Sequence, residues 1–315
     1  MRSIDRRALM TGVAGLALAP GLVARAAPAP AALALTEVAP GVHVHRGRHA
    51  LFAPDNAGDI ANTAFVVGRE AVAVIDTGGS AGVGKALLAA MRSVTQLPVR
   101  YVINTHMHPD HVLGNAAFLG EGVAFVAHHK MARGLAARAE RYLAVNRGLL
   151  GEDAFAGTEI VMPTLGVSAR HEFDLGGRRL VLEPRPTAHT DNDLTVRDAA
   201  TGTLFLGDLL FAEHVPTIDG SIRGWLTLLD GMASESAARV VPGHGPAALT
   251  WPDGALPLKR YLGAVAGDVR RMIKEGKTLV EASRSAATTE RGHWQLFEEY
   301  HARNVSAAFA ELEWE

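Results

Sequence analysis

Short apolar runs separated by polar, glycine-containing connections fill most of this chain up to residue 244. Runs of about five apolar residues rich in Val and Ile are typical of buried strands. Between them, apolar residues recur at helical spacing at 82–94, 131–147 and 222–234. The strands are predicted at 41–46, 62–67, 71–76, 99–104, 123–127, 178–183, 194–197, 203–207 and 239–241. Strands that alternate with helices predict an α/β protein with helices on the faces of its sheets.

The pattern changes beyond residue 244, where helical spacing continues at 256–275, 279–287 and 294–313 without strands between. We interpret residues 251–315 as a C-terminal helical extension that packs on the rest, with a hinge near 251–254. Residues 36–250 then form the main domain. The fold predicted for the whole chain is a sandwich of two mixed sheets covered by helices.

The N-terminus is typical of an export signal over residues 1–26. A charged start is followed by an apolar stretch at 8–19, and Ala24-Arg25-Ala26 offers a small-x-small cleavage site. Arg6-Arg7 resembles a twin-arginine signal, although ordinary Sec export remains open. We expect a mature chain that begins near Ala27, with residues 27–35 as a linker, in the periplasm or outside the cell. The apolar stretch is too short to span a bilayer comfortably, and no later segment is long enough.

Composition narrows the range of partners. Lys and Arg total 31 against 33 Asp and Glu, and no basic block stands out, so nucleic acid binding is not expected. A small-molecule substrate is expected instead. The chain has no Cys, which excludes disulfides and thiolate metal ligands.

Residues 105–111 hold four potential metal ligands in the order His-x-His-x-Asp-His. They follow the apolar run at 99–103, which predicts a buried strand that ends at these ligands. Because alternate side chains of an extended segment face the same way, His106 and His108 can share one metal ion.

Pro109 suits the first position of a helix, so the chain is expected to turn there. Asp110 and His111 would then leave the start of the helix in a different direction, toward a second ion. The helix dipole favours a carboxylate and a neutral imidazole at that end, and these are the forms that bind metals. One strand-to-helix junction can therefore serve two metals.

Three later residues complement this junction. His189, Asp208 and His244 each lie close to the end of an apolar strand-like run, where the active-site loops of layered α/β proteins gather. Single histidines are more often surface or core residues than ligands, and this chain has 14. The joint occurrence favours a dinuclear metal site.

These motifs resemble those of the metallo-β-lactamase-fold hydrolase superfamily. The resemblance rests on His106-Met107-His108-Pro109-Asp110-His111 with the later His189, Asp208 and His244, and on the upstream strand 72–76, which leads into Asp76-Thr77-Gly78. It implies a four-layer αββα sandwich. More narrowly, residues 62–65 and 115–118 resemble exported metallohydrolases found with quinoprotein and sulfur-oxidation systems.

The resemblance assigns a role to each ligand. His106, His108 and His189 would bind the first metal, Asp110, His111 and His244 the second, and Asp208 would bridge both. Asp76 would orient ligands rather than bind metal, a role compatible with capping a turn. Asp110 is the residue expected to be essential for catalysis. Zn²⁺ is the expected metal, although a set of His and Asp ligands also accepts Fe or Mn.

The expected activity is hydrolysis, in which metal-bound hydroxide attacks a small ester, lactone, thioester or amide. Many β-lactam-cleaving members carry Cys or Ser where this chain has Asp208, so β-lactamase activity is a less favoured alternative. Another alternative is a metal-containing binding or delivery protein that serves a quinoprotein or sulfur-oxidation system.

Candidates for the substrate pocket come from two connections. Residues 47–61 form a Gly-, Asp- and Asn-rich segment that could be a flap over the metals or an ordinary hairpin, and they include His49 and Phe52. The segment 211–223 follows Asp208 and holds His214 and Arg223, which are expected to line the cleft.

Overall fold

Two β-sheets lie face to face, with helices on both outer faces, in the computed structural model, which describes residues 33–315. The predicted export signal and residues 27–32 of the predicted linker lie outside the described residues. The described part has the four layers of an αββα sandwich, as the sequence predicts.

The first sheet has seven strands in the order of the chain. The strands are β1 (Thr36–Ala39), β2 (Val42–His45), β3 (Thr63–Val67), β4 (Val72–Ile75), β5 (Val99–Ile103), β6 (Ala124–His128) and β7 (Leu165–Val167). Neighbours are antiparallel from β1 to β4 and parallel from β4 to β7. The helices that follow β4, β5 and β6 are α1 (Ala81–Val94), α2 (Pro109–Val112) and α3 (Met131–Phe155).

The second sheet has five strands in the order β12-β11-β10-β9-β8. They are β8 (His171–Asp174), β9 (Arg179–Pro184), β10 (Leu194–Asp198), β11 (Thr203–Phe211) and β12 (Arg239–His244). Only β11 and β12 are parallel among these pairs, and α4 (Ile222–Met232) connects them. Both sheets are therefore mixed, as predicted.

The core between the sheets is built from alternate residues of strands in both. Val44 and Ile75 of the first sheet belong to the same buried cluster as Leu182, Val196 and Phe205 of the second. This alternation arises because successive side chains of a strand point to opposite faces of its sheet. The opposite face of the first sheet packs on α1, and that of the second packs on α4 and the C-terminal helices.

The C-terminal residues form α5 (Leu256–Lys274), α6 (Leu279–Ser285) and α7 (Phe297–Leu312). Tyr261 of α5 and Val305 of α7 are fully buried in one cluster with Leu206 of β11 and Trp225 of α4. The extension thus shares a core with the second sheet. A short 3₁₀ helix, Asp253–Ala255, leads directly into α5 at the predicted hinge. The domain boundary at residue 250 stays a prediction.

Three short strands were not predicted from the sequence. β1, β7 and β8 have only three or four residues, and β1 and β8 expose polar side chains, so neither length nor alternation marks them. Helix α3 runs to Phe155, beyond its predicted end at 147, and bends at Gly151, which has φ 78°. No helix among residues 33–315 is long and apolar enough to cross a membrane.

Candidate metal centre

The predicted ligands meet at one edge of the sandwich, where strands of both sheets end. β4 and β5 of the first sheet end at Ile75 and Ile103, and β12 of the second ends at His244. Asp208 lies within β11, which is parallel to β12. His189 comes from the connection between β9 and β10. The two sheets thus supply ligands to the same place.

The β5–α2 junction has the predicted geometry. His108 is extended, with φ −68° and ψ 150°, and is the N-cap of α2, whose first residue is Pro109. Asp110 and His111 follow in the first turn of α2. The change from strand to helix therefore separates the His-x-His pair from the Asp-His pair.

The seven predicted ligands form two groups. Ligand atoms within each group lie within 4.8 Å of one another. The first group is His106, His108, His189 and Asp208, and the second is Asp110, His111 and His244. Together they match the division that the resemblance implies.

Asp208 lies between the groups and presents one oxygen to each. Its Oδ2 is 3.3 Å from His189 Nε2 and 3.6 Å from His106 Nε2. Its Oδ1 is 3.1 Å from His111 Nε2 and 3.5 Å from His244 Nε2. A carboxylate with this arrangement can bridge two cations.

Gly243 makes room for this carboxylate. A Cβ atom added to Gly243 would lie 1.9 Å from Asp208 Oδ1, so a larger residue would displace the carboxylate. The neighbouring Gly207 has φ 51°, and a Cβ there would lie 2.5 Å from Thr105 Oγ1. Both positions need glycine, because the backbone of Gly207 and Asp208 approaches Gly243 and the Thr105 side chain approaches Gly207.

Hydrogen bonds to the far side of each ring fix which nitrogen faces the centre. The Nδ1–H of His189 donates to the Thr217 carbonyl oxygen at 2.8 Å, and that of His244 donates to the Ile60 carbonyl oxygen at 2.9 Å. Nε2 is then the nitrogen of both rings that would bind a metal. His108 is reversed, since its Nε2–H donates to Asp219 Oδ2 at 3.0 Å and Nδ1 would be the metal-binding nitrogen. Such partners are typical of metal-binding histidines.

Asp76 lies behind the second group, in the position that the sequence predicts. Its Oδ2 accepts from His111 Nδ1–H at 2.8 Å and from Thr105 Oγ1–H at 2.7 Å. Its Oδ1 accepts from the Thr105 backbone N–H at 2.8 Å. Asp76 has φ 55°, where Asp is more readily accommodated than most residues. Its contacts hold both the His111 ring and the start of the ligand segment.

Unsatisfied polar atoms show that the centre fits cations. His106 Nε2, His111 Nε2 and Asp208 Oδ1 are buried and have no hydrogen-bond partner among the described residues. Buried polar atoms in native proteins nearly always have partners. His108 Nδ1 and His189 Nε2 also face each other at 3.0 Å, although the other nitrogen of each ring is the donor. Two divalent cations would satisfy these atoms, and the N and O donors suit Zn²⁺, Fe or Mn.

The pKa shifts of four histidines differ in direction between the two groups. Burial lowers the pKa of His106 well below its ordinary value and that of His189 to about 3, so both rings are neutral. Burial also opposes protonation of His111 and His244. The carboxylates of Asp208 and Asp110 nevertheless raise the pKa of His111 well above its ordinary value and that of His244 to about 9. The second group therefore attracts positive charge, as a proton or as a cation.

A cavity of about 600 Å³ opens onto the centre. Asp110, Asp208 and His244 lie in its wall together with Phe52 and His214, two of the candidates for the substrate pocket. Residues 47–61 contribute Phe52 and Ile60 to this wall, and Phe52 also packs against the cluster around α3.

His49 and Arg223 lie elsewhere. His49 is buried behind His214, with ring centroids 6.0 Å apart, and is absent from the cavity wall. Arg223 forms an ion pair with Glu315 at 3.2 Å and lines a different cavity with Arg185 and Glu235. Because Ile222 starts α4 on its buried face, the next residue turns outward.

Sequence reasoning missed the other walls of the cavity. α3 contributes Arg138, Arg141 and Tyr142, and α7 contributes Tyr300 and Arg303. These residues lie in segments predicted correctly as helices. Nothing in the local sequence places α7 over a centre built from residues far earlier in the chain.

Comparison with known proteins agrees with this geometry. Residues 57–244, more than half of the 315-residue chain, match the family described as the metallo-beta-lactamase superfamily. The chain belongs to this superfamily. The match spans all seven predicted ligands.

Solved structures share its fold. A stereoselective inverting sec-alkylsulfatase from Pseudomonas sp. has a TM-score of 0.68 at 15% identity, over 88% of this chain and 50% of that one. A metallo-beta-lactamase from Pontibacter korlensis has a TM-score of 0.58 at 22% identity, over 72% of this chain and 99% of that one. The metallo-beta-lactamase FIM-1 from Pseudomonas aeruginosa, in a mono-zinc form, has a TM-score of 0.57 at 19% identity, over 75% and 97%.

In sequence, a linear primary-alkylsulfatase from Pseudomonas sp. (strain ATCC 19151) is 36% identical over 52 residues, which are 16% of this chain and 10% of that protein. The chain spans about half the length of the sec-alkylsulfatase and a tenth of the matched primary-alkylsulfatase. At these identities the solved structures show a common fold.

Proposed function

We propose that this chain is a dinuclear metal-dependent hydrolase of small esters, lactones, thioesters or amides. The observation that carries the proposal is the division of Asp208, whose two oxygens face two separate groups of ligands. A site for a single ion would need neither the second group nor a carboxylate between the two.

Two Zn²⁺ ions are the cofactors we propose. His106, His108 and His189 would hold one ion and Asp110, His111 and His244 the other, with Asp208 shared. When bound, two such ions acidify water to a pKa of about 7 and stabilise negative charge that develops on a substrate.

Among the described residues, Asp110 is the best placed to accept a proton from attacking water. Burial opposes its ionisation, but His111 and His244 hold its pKa at about 2, so it is a carboxylate at neutral pH. It lies in the cavity wall, and its Oδ2 is 3.2 Å from His244 Nε2. A carboxylate there accepts a hydrogen bond from attacking water and orients it toward the substrate.

Two tyrosines in the cavity wall, Tyr142 of α3 and Tyr300 of α7, can donate to the substrate. Burial raises the pKa of Tyr300 to about 12 and that of Tyr142 further, so both hydroxyls keep their protons. Neither hydroxyl has a hydrogen-bond partner among residues 33–315. They are free to donate to an oxygen of a bound substrate.

Alkyl sulfates are a second candidate substrate class. The likeness to the sec-alkylsulfatase covers 88% of this chain, and that to the lactamases covers 72–75%. A share of 88% is too large to exclude all of the C-terminal helices. Helix α7 supplies Tyr300 and Arg303 to the cavity. The share of the chain that the alkylsulfatase likeness covers therefore includes at least part of the C-terminal helices.

Metal content and turnover, measured on the same preparation, test the proposal. Elemental mass spectrometry of protein purified without chelators should find two ions per chain. A panel of a lactone, a thioester, an aryl ester, an alkyl sulfate and a β-lactam should then identify at least one substrate.

The matched variants are Asp110→Asn and Asp55→Asn. Asp55 is exposed and does not line the cavity, so its loss should leave turnover unchanged. Asp110→Asn should abolish most turnover. One ion or none per chain, or ligand binding without any turnover, would favour the delivery protein instead.

We also propose export through the signal at residues 1–26. In a Gram-negative bacterial host the full chain should appear in the periplasm with an N-terminus near Ala27, as N-terminal sequencing would show. Replacement of Arg6 and Arg7 by Lys should block this if the twin-arginine route is used. Unprocessed protein in the cytoplasm would contradict export.

A further inference from the structure

Two arginines in the cavity wall have no acidic partner among residues 33–315. The exposed side chains of Arg141 of α3 and Arg303 of α7 form neither an ion pair nor a hydrogen bond with these residues. Their neighbour Arg138 differs, since its guanidinium lies 3.6 Å from Asp219 Oδ2. The carboxylates of Asp110, Asp208 and Asp219 line the same cavity, but none of them pairs directly with Arg141 or Arg303.

The two arginines belong to one cavity, to which α3 and α7 contribute from separate parts of the chain. Arg303, Tyr142 and Tyr300 all lie in the wall of this cavity. Each hydroxyl is protonated and without a partner, so the same walls present guanidinium and hydroxyl donors together.

Apolar side chains complete the cavity beside these donors. Phe52, Ile60 and Val145 lie in its wall, and Val145 is 49% exposed although it is a large apolar residue. A cavity of about 600 Å³ with cationic and apolar walls suits a small molecule that has both an anionic group and a hydrocarbon part.

We propose that Arg141 and Arg303 form an anion subsite that selects substrates with a carboxylate or sulfate group. A guanidinium binds either group through paired charge-assisted hydrogen bonds. Tyr142 and Tyr300 add neutral donors, and the apolar wall contacts the hydrocarbon part. This inference rests on the proposed hydrolase function for its biological meaning, but anion binding can be measured without turnover.

Calorimetric titration of the zinc-loaded protein with hexanoate, hexyl sulfate and hexanol tests the subsite directly. At least one anion should bind, and hexanol should bind at least about 10-fold more weakly. Binding of hexanoate alone would identify a carboxylate subsite, and binding of hexyl sulfate alone a sulfate subsite. Equal affinity for hexanol and both anions would overturn the proposal.

The double variant Arg141→Gln/Arg303→Gln should weaken anion binding about 10- to 100-fold, the usual effect of losing hydrogen bonds to a charged group. Arg133→Gln makes the same type of change at an exposed position of α3 outside the cavity and should bind as the unmodified protein does. Equal metal content and melting temperature would show that the double variant is folded. An anion that binds the double variant at full strength would overturn the subsite, since the metals would then hold it.

A turnover experiment separates this inference from the proposed function. The 4-nitrophenyl monoester of adipate carries a carboxylate, whereas 4-nitrophenyl hexanoate is neutral. The ratio of their kcat/KM values should fall about 10- to 100-fold in the double variant and stay constant in Arg133→Gln. If neither ester is hydrolysed, these esters give no support to the proposed function, while the calorimetric result still decides the anion subsite.

Discussion

Two buried carboxylates in neighbouring strands of the second sheet differ in whether protein atoms satisfy their hydrogen-bonding capacity. Asp198, at the end of β10, accepts from Arg178 Nε–H at 3.0 Å and Nη2–H at 2.7 Å, and also from Thr201. Asp208, in β11, has one oxygen with no hydrogen-bond partner among the described residues. Both side chains are almost fully buried.

The comparison separates a structural cluster from a binding cluster. Arg178 also donates from Nη1–H to the Val67 carbonyl oxygen at 2.9 Å, so the Asp198 cluster joins the two sheets with protein atoms alone. The Asp208 cluster contains several imidazoles and carboxylates, and the protein supplies too few hydrogen-bond donors to satisfy them. Burial of a charged group is costly unless it is paired. Protein atoms satisfy the polar groups of the Asp198 cluster, and we infer that cations satisfy those of the Asp208 cluster.

The largest effect is expected from Asp208→Ala. Removal of the shared carboxylate should lower kcat/KM by far more than the roughly 10- to 100-fold typical of residues that only orient ligands. Elemental mass spectrometry should show fewer than two ions per chain. Retention of two ions and of most turnover would contradict a bridging role for Asp208.

The sequence predicts the ligands of the centre because they lie in short motifs with their own spacing. His106, His108, Asp110 and His111 follow from one strand and one proline. The two sheets and most helices also follow from periodicity, since β11 and α5 are long and regular.

Contacts between segments that are distant in the chain could not be predicted in this way. Asp219, which fixes the His108 ring, lies in an irregular connection with no motif. Arg303 and Tyr300 reach the cavity because α7 packs on α5 and α4, and helical spacing does not specify that packing. Arg223 is close to Asp208 in the chain but lines a different cavity, because closeness in the chain does not specify closeness in space.

Asp198→Asn should reduce stability instead of activity. The substitution leaves the guanidinium of Arg178 buried without its counter-charge, which costs about 3 kcal/mol in the free energy of unfolding. Urea unfolding of the metal-loaded protein measures this loss. Metal content and kcat/KM should be unchanged, and a loss of metal would show that the two clusters are coupled.

The same variant gives a pH dependence with a definite sign. Burial opposes ionisation of Asp198, but Arg178 and Thr201 lower its pKa below the ordinary value. The stabilisation is therefore complete above the unfolded pKa of about 4 and is lost as the pH falls through the folded pKa. The stability difference between the unmodified protein and Asp198→Asn should be constant near neutral pH and shrink in acid.

Metal removal should destabilise the protein through the Asp208 cluster and leave the contribution of the Asp198 cluster unchanged. Ions that bind only the folded state stabilise it by about 2.7 kcal/mol when the free ion is at about 100 times its Kd. Dialysis against a chelator should lower the melting temperature accordingly, and added Zn²⁺ should restore it. The same shift should occur in Asp198→Asn, because independent clusters contribute additively. A melting temperature that the chelator leaves unchanged would argue against cations as the missing partners of the Asp208 cluster.

The smallest effect is expected from Asp76→Asn, which tests whether Asp76 orients His111. An amide retains the size of the carboxylate but weakens acceptance from His111 Nδ1–H, so metal affinity or kcat/KM should fall about 10- to 100-fold. The chain offers a matched control in Asp59, whose Oδ1 accepts from His45 Nε2–H at 2.8 Å outside the centre. Competition for Zn²⁺ with a chromogenic chelator measures the affinity. Asp59→Asn should leave it unchanged, because His45 binds no metal. If both variants lose affinity equally, general destabilisation explains the loss, and the His111–Asp76 pair has no particular role in holding the ion.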